Sequence, residues 1–159
     1  MNTPSFEAKI CAPREFAARS ARLEHPLVFT NGVFDILHRG HVTYLAQARA
    51  LGRSLAVALN SDASVRRLGK GEDRPVNALE DRLAVLAALE SVALVTWFEE
   101  DTPLARIVEC RPDHLVKGGD WPVERIVGAA ETMGWGGKVH SIPFEHDRST
   151  TRLLERIRT

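Results

Sequence analysis

Two histidines, His38 and His41, stand on either side of Gly40 in the segment Thr30-Asn31-Gly32-Val33-Phe34-Asp35-Ile36-Leu37-His38-Arg39-Gly40-His41. At that spacing two imidazoles share one face of a helix. A helix beginning near Gly40 adds unsatisfied N–H groups and the positive end of its dipole, and both favour phosphate. Gly32 lets the backbone come close to a ligand. Imidazoles and amides aimed at one point suit an oxyanion that gains charge during a reaction. Two plainer readings stand beside this one. The histidines cap or fill a surface, or they hold zinc, which would require a further ligand that the segment does not place.

The elements around this segment decide its position. Apolar runs over 27–30, 55–59, 93–97, 114–116 and 138–142 read as strands, continuous enough for a parallel sheet covered on both faces. Helical spacing marks 41–51, with Val42, Leu45, Ala46 and Ala48 as its apolar stripe, and also 78–89, 102–110 and 123–133. Shorter helices are expected over 63–69 and 151–157, and one over 13–24 inside an N-terminal extension of residues 1–25. The expected fold is α/β, a doubly wound, Rossmann-like parallel five-stranded sheet with helices on both faces, in one domain over 1–159. Ligands of such sheets bind at the carboxyl ends of the strands.

Polar residues follow the strands as that rule requires. Asn60-Ser61-Asp62 leaves the second strand; Ser61 or Asp62 would cap the next helix, a role compatible with binding. Lys70 lies between Gly69 and Gly71 in a mobile loop, where it reads first as a solvated lysine in a charged turn and otherwise as a cation able to close over phosphate, with Arg74 as a second candidate. Asn77 is the expected cap of the helix after it. Lys117-Gly118-Gly119-Asp120-Trp121 leaves the fourth strand, and two glycines there mark a turn or a close backbone approach. Arg148-Ser149-Thr150-Thr151 opens the last helix and makes a second helix N-terminus near the same strand ends. Asp35 reads as a brace for the first loop or as a metal-associated carboxylate, the brace being the preferred role.

Composition excludes several classes. Lys plus Arg and Asp plus Glu are both 21, so there is no basic excess of the kind that wraps nucleic acid. The longest apolar run, Leu83–Leu89, is far short of the ~20 residues needed to cross a bilayer. The first residues do not read as a signal peptide, so a cytoplasmic, membrane-free protein is expected. Cys11 and Cys110 have no metal-ligand spacing and are expected to be free thiols.

Taken together, Thr30–His41, Asn60-Ser61-Asp62, Lys70-Gly71, Lys117-Gly118-Gly119-Asp120 and Ser149-Thr150-Thr151 resemble the HxGH nucleotidylyltransferase superfamily. Within it they are most similar to the adenylyltransferases of ADP-heptose synthesis, over about residues 27–157. The resemblance implies transfer of AMP from ATP, with Mg²⁺, to D-glycero-β-D-manno-heptose 1-phosphate. It implies catalytic roles for His38, His41 and Lys70. Thr30, Asn31, Gly32, Val33, Phe34, Gly40, Lys117, Gly118, Gly119, Asp120, Arg148, Ser149 and Thr150 would bind nucleotide, and Asn60, Asp62, Arg66 and Arg74 substrate. A cytidylyltransferase of the same superfamily acting on glycerol 3-phosphate and a non-catalytic nucleotide-binding regulator remain the alternatives. A homo-oligomer is expected for a domain this small, as is a separate sugar kinase that supplies the 1-phosphate.

Overall fold

The computed structural model describes residues 2–146 and 149–159. Five strands, β1 (Leu27–Gly32), β2 (Ser54–Asn60), β3 (Leu94–Phe98), β4 (His114–Gly118) and β5 (Lys138–Ile142), form one parallel sheet in the order β3-β2-β1-β4-β5. Around it lie α1 (Pro13–Ser20), α2 (Arg39–Arg49), α3 (Asp62–Arg67), α4 (Leu79–Ala87), α5 (Leu104–Cys110), α6 (Ala129–Gly134) and α7 (Thr150–Arg158). The period-2 alternation of the strands sends their side chains into two cores. Val28, Leu55, Val57, Leu59, Val95 and Val116 pack with Tyr44, Leu45 and Ala48 of α2 and Leu83 and Leu86 of α4. On the opposite face Leu27, Phe29, Ala56, Ala58, Leu94 and Leu115 pack with Phe16, Ile107 and Ala129. Every residue of β2 is buried, which is why the run Ser54–Asn60 is apolar almost throughout.

Sequence and structure part in four places. The expected helix 13–24 ends at Ser20, and the residues before it join the sheet: Ile10 bridges Val95 in parallel and the Cys11 amide donates to the Val95 carbonyl at 2.9 Å. The expected helix 123–133 breaks into a 3₁₀ turn, Val123–Arg125, and α6, because Gly128 takes a left-handed φ of 84°. On α2 the inward stripe is Tyr44, Leu45 and Ala48, whereas Val42 and Ala46 face solvent. Asn77 does not cap α4. The cap position falls to Ala78, while the Asn77 side-chain Nδ2 donates to the Asp35 backbone carbonyl at 2.6 Å. Both cysteines are free, with Cys11 buried.

The register locates the site. β1 stays paired with β2 as far as Gly32, but its pairing with β4 ends at Phe29↔Leu115. Beyond that point the two strands separate. The chain winds outward from β1 to β2 and β3, then crosses to β4 and β5, so the gap is the topological switch point of the sheet. Among the described residues no helix is long and apolar enough to cross a membrane.

Candidate active site

The gap between β1 and β4 widens into a cavity of about 660 Å³, within the usual range for a small-ligand site. The first-strand loop contributes Asn31, Gly32, Val33, Phe34 and Asp35. The start of α2 contributes His38 and His41, and Tyr44 one turn on. The glycine loop brings Lys70 and Arg74; the exit of β4 brings Lys117, Gly118 and Trp121. Ser149, Thr150 and Thr151 enter from the start of α7. Two helix N-termini therefore open into one space.

Local chemistry fixes each wall. His38 is the N-cap of α2 and its Nδ1 accepts from the Gly40 amide at 3.1 Å. A neutral ring accepting at Nδ1 carries its proton on Nε2. His41 stacks on His38 with ring centroids 3.9 Å apart and 23° between planes. Burial pushes the His41 imidazole down to about 4, and the neighbouring His38 adds to that, against a smaller opposing pull from the Ile36 backbone. Ser149 caps α7 by accepting from the Arg152 amide at 3.1 Å. The Thr150 hydroxyl donates to the Ile36 carbonyl at 3.3 Å, which ties the start of α7 to the β1 loop.

Asp35 is the brace of that loop. It is buried and accepts from Arg74 Nε at 2.7 Å, from the Val76 amide at 2.9 Å and from the Asn77 amide at 2.9 Å. The Arg74 fork is thereby fixed at the cavity wall. Partial withdrawal from water pushes the Lys70 ammonium below its usual value although the side chain stays accessible, and Arg74 pushes the same way. Lys117 is lowered by burial first and by Lys70 second. Lys70, Lys117 and the Asp35-paired Arg74 thus line one cavity, and the two lysines carry positive charge that a polyanion relieves.

Several expected residues lie behind these walls. The Thr30 hydroxyl bonds the Tyr44 hydroxyl at 2.6 Å in the core, and Gly40 is buried with its Cα against the His38 ring. Gly119 has φ 110° and shapes the turn that carries Trp121, while Asp120 is exposed outside the lining. The Asn60 side chain is buried and donates to Ser64 Oγ at 3.0 Å, Asp62 pairs with Arg82, and Arg66 is exposed on α3. These three do not reach the cavity. Ser61, not Asp62, caps α3. Arg148 lies outside the described residues. Conversely, Tyr44 and Phe144 line the site without having been singled out from sequence. Phe144 meets the ring of Tyr44 at 5.5 Å and that of His41 at 6.4 Å. The rule that loops after parallel strands carry the ligand site would have led to Phe144, two residues past β5.

The His41 shift predicts an acid-side instability. The folded protein refuses a proton down to about pH 4, whereas an unfolded histidine takes one near 6.5. Between those values the unfolded state binds more protons, so stability falls as pH falls through that window. Thermal melts from pH 7 to 4.5 are expected to show a declining Tm whose slope is smaller in His41→Gln. Equal slopes in the two proteins would remove His41 as its source.

The cytidylyltransferase-like family pattern matches residues 29–156. A D-beta-D-heptose 1-phosphate adenylyltransferase of Bordetella bronchiseptica is 57% identical, the match covering 99% of each chain. The bifunctional protein HldE of Salmonella paratyphi B is 54% identical over 92% of this chain, which spans only 30% of that longer protein. Among solved structures, a lipopolysaccharide core biosynthesis protein from Thermoplasma volcanium superposes with a TM-score of 0.63 at 28% identity, over 77% of this chain and 98% of that one. A pantoate-beta-alanine ligase of Francisella tularensis shares the fold, with a TM-score of 0.60 at 15% identity over 89% of this chain and 68% of the other. The chain belongs to the cytidylyltransferase-like family and, within it, to the heptose 1-phosphate adenylyltransferases.

Proposed function

We propose that this protein transfers AMP from ATP to D-glycero-β-D-manno-heptose 1-phosphate, forming ADP-heptose and releasing pyrophosphate. The observation that carries the reading at the level of mechanism is the convergence of two helix N-termini and three cations on one cavity at the switch point. An oxygen of the sugar 1-phosphate attacks the α-phosphorus of ATP. The bond from that phosphorus to the oxygen bridging to the β-phosphate breaks, and pyrophosphate leaves with the electron pair. The acceptor oxygen is already anionic at neutral pH, so no protein base is required. Catalysis rests on in-line positioning and on stabilising the charge that builds on the phosphates.

His38 and His41 hold the α- and β-phosphates in this scheme, Lys70 steadies the departing pyrophosphate, and Lys117, Ser149 and Thr150 close the nucleotide side. The carboxylate in the lining, Asp35, is committed to Arg74 and two amides, and among the described residues no cluster of three metal-ligating side chains exists. Mg²⁺ would enter with the nucleotide as MgATP and would offset the charge of the phosphates there. The acceptor is placed beside Asn31–Phe34 and the Arg74 fork. Asp62 and Arg66, expected there from sequence, stand outside the lining. A separate sugar kinase is the class of enzyme that would supply the 1-phosphate.

Pyrophosphate release across nucleoside triphosphates and acceptors tests this. A pocket that hydrogen-bonds a polyhydroxylated sugar rejects an acceptor lacking those groups, because its own polar atoms then stay unpaired. ATP with heptose 1-phosphate is expected to turn over, and glycerol 3-phosphate to be a poor acceptor at saturating ATP. Comparable kcat/KM for the two acceptors, or a preference for CTP, would move the protein to a different branch of its family.

A further inference from the structure

Arg82, in the first turn of α4, is the largest fully buried side chain among the described residues. Burying a guanidinium is costly unless its donors are matched. Here they are matched across three separate segments of chain. Nε donates to the Asn77 carbonyl at 3.0 Å. Nη1 donates to the carbonyls of Val33 and Asn60, both at 2.9 Å. Nη2 reaches Asp62 Oδ1 at 2.6 Å. Packing α4 on the sheet needs none of this, as Leu83 and Leu86 on the same helix demonstrate. The fork instead fixes the β1 loop, the end of β2 and the approach to α4 relative to one another.

We propose that Arg82 is a positioning residue for AMP transfer, acting through the peptide that joins Val33 to Phe34. This rests on the adenylyltransferase reading above. The peptide is trans, so its carbonyl and the following N–H point in opposite directions. The Val33 carbonyl is drawn inward to the buried guanidinium; the Phe34 N–H is thereby turned outward, to the cavity that both residues line. Phe34 itself has φ 48°, a left-handed conformation that a bulky residue keeps only when its surroundings impose it. Its ring meets the His41 ring edge-on, with centroids 5.4 Å apart. One buried arginine thus aims an amide donor at the reacting phosphates and seats the ring beside a catalytic histidine. Lysine cannot replace it, since one ammonium does not span four acceptors in a fixed plane.

The test compares Arg82→Lys with Leu86→Ala in the whole protein, using ATP and heptose 1-phosphate. Arg82→Lys is expected to lose about 10²-fold in kcat per folded molecule, the size of effect that misplacement remote from the chemistry produces, with KM for ATP changed much less. Leu86→Ala, a cavity on the same helix, is expected to lose thermal stability while keeping its kcat per folded molecule. Wild-type kcat in Arg82→Lys, a loss confined to KM, or a loss equal to its unfolded fraction would each overturn the proposal. Absence of turnover in the wild-type protein would instead overturn the adenylyltransferase reading. If Arg82→Lys does not fold, the wild-type amide spectrum decides. The Phe34 N–H resonance is expected to move downfield when a non-hydrolysable ATP analogue binds, and an unmoved resonance under saturation would refute the assignment.

Discussion

Alanine at His41 is expected to lower kcat by about 10²–10³-fold, the usual penalty for removing one preorganised donor to a developing oxyanion. The ring is held in place from two sides, stacked on His38 and met edge-on by Phe34, so little reorganisation is needed when phosphate arrives. Burial and the second imidazole keep it neutral in the free protein. A bound phosphate opposes both effects by favouring the protonated ring, so the group becomes a stronger donor as negative charge builds. Because His41 does not cap the helix, the variant should fold normally, and circular dichroism checks that directly. His38 is different. Its Nδ1 caps α2, so His38→Ala removes a cap worth ~1 kcal/mol in addition to the proposed phosphate contact. His38→Asn is the cleaner comparison, since asparagine retains the capping acceptor. Steady-state rates near those of the wild type in both His41→Ala and His38→Asn would eliminate the phosphate assignment.

The second large effect is expected at Lys70. The residue lies between Gly69, φ 67°, and Gly71, φ 121°, so its loop has conformations open to it that other residues would strain. Arg158, at the end of α7, pairs with Asp73 in the same loop. In the proposed scheme Lys70, carried by such a loop, acts after ATP is bound and gains most when pyrophosphate departs. Lys70→Ala is therefore expected to lower kcat and kcat/KM together, by about 10²-fold, with ATP binding little changed. Rapid-quench turnover and equilibrium nucleotide binding separate the two quantities. A raised KM with normal kcat would show that the lysine serves only the ground state.

β1 to β4 were readable from sequence because each carries a short apolar run, as a parallel sheet buried on both faces demands; β5, an edge strand with no buried residue, carries only Val139 and Ile142. The Thr30–His41 loop, Lys117-Gly118 and Ser149-Thr150 were readable for a related reason: each follows a strand or opens a helix, where a doubly wound fold exposes backbone to its ligand. What escaped was decided by pairing across the fold. Asn60 and Asp62 have the right polarity and the right address, yet Ser64 and Arg82 occupy them. Asn77 has the chemistry of a cap but Asp35 offers it a partner 42 positions away in sequence. Tyr44 reads as one more helix residue until Thr30 and Phe144 are seen beside it. No local pattern records which of two competing partners a side chain takes.

The bridge between Ile10 and Val95 has a consequence for solubility. A parallel sheet of this kind ends in a strand with unpaired N–H and C=O groups, a template on which other chains can pair and aggregate. On the β3 side part of that template, at Val95, is taken by the Ile10 bridge and the Cys11 amide, with α1 packed beside the strand. Pairing of this kind shortens the length of edge open to another chain. The opposite edge, β5, begins at the exposed Lys138, and a charge at the mouth of an open strand discourages the same growth by a different route.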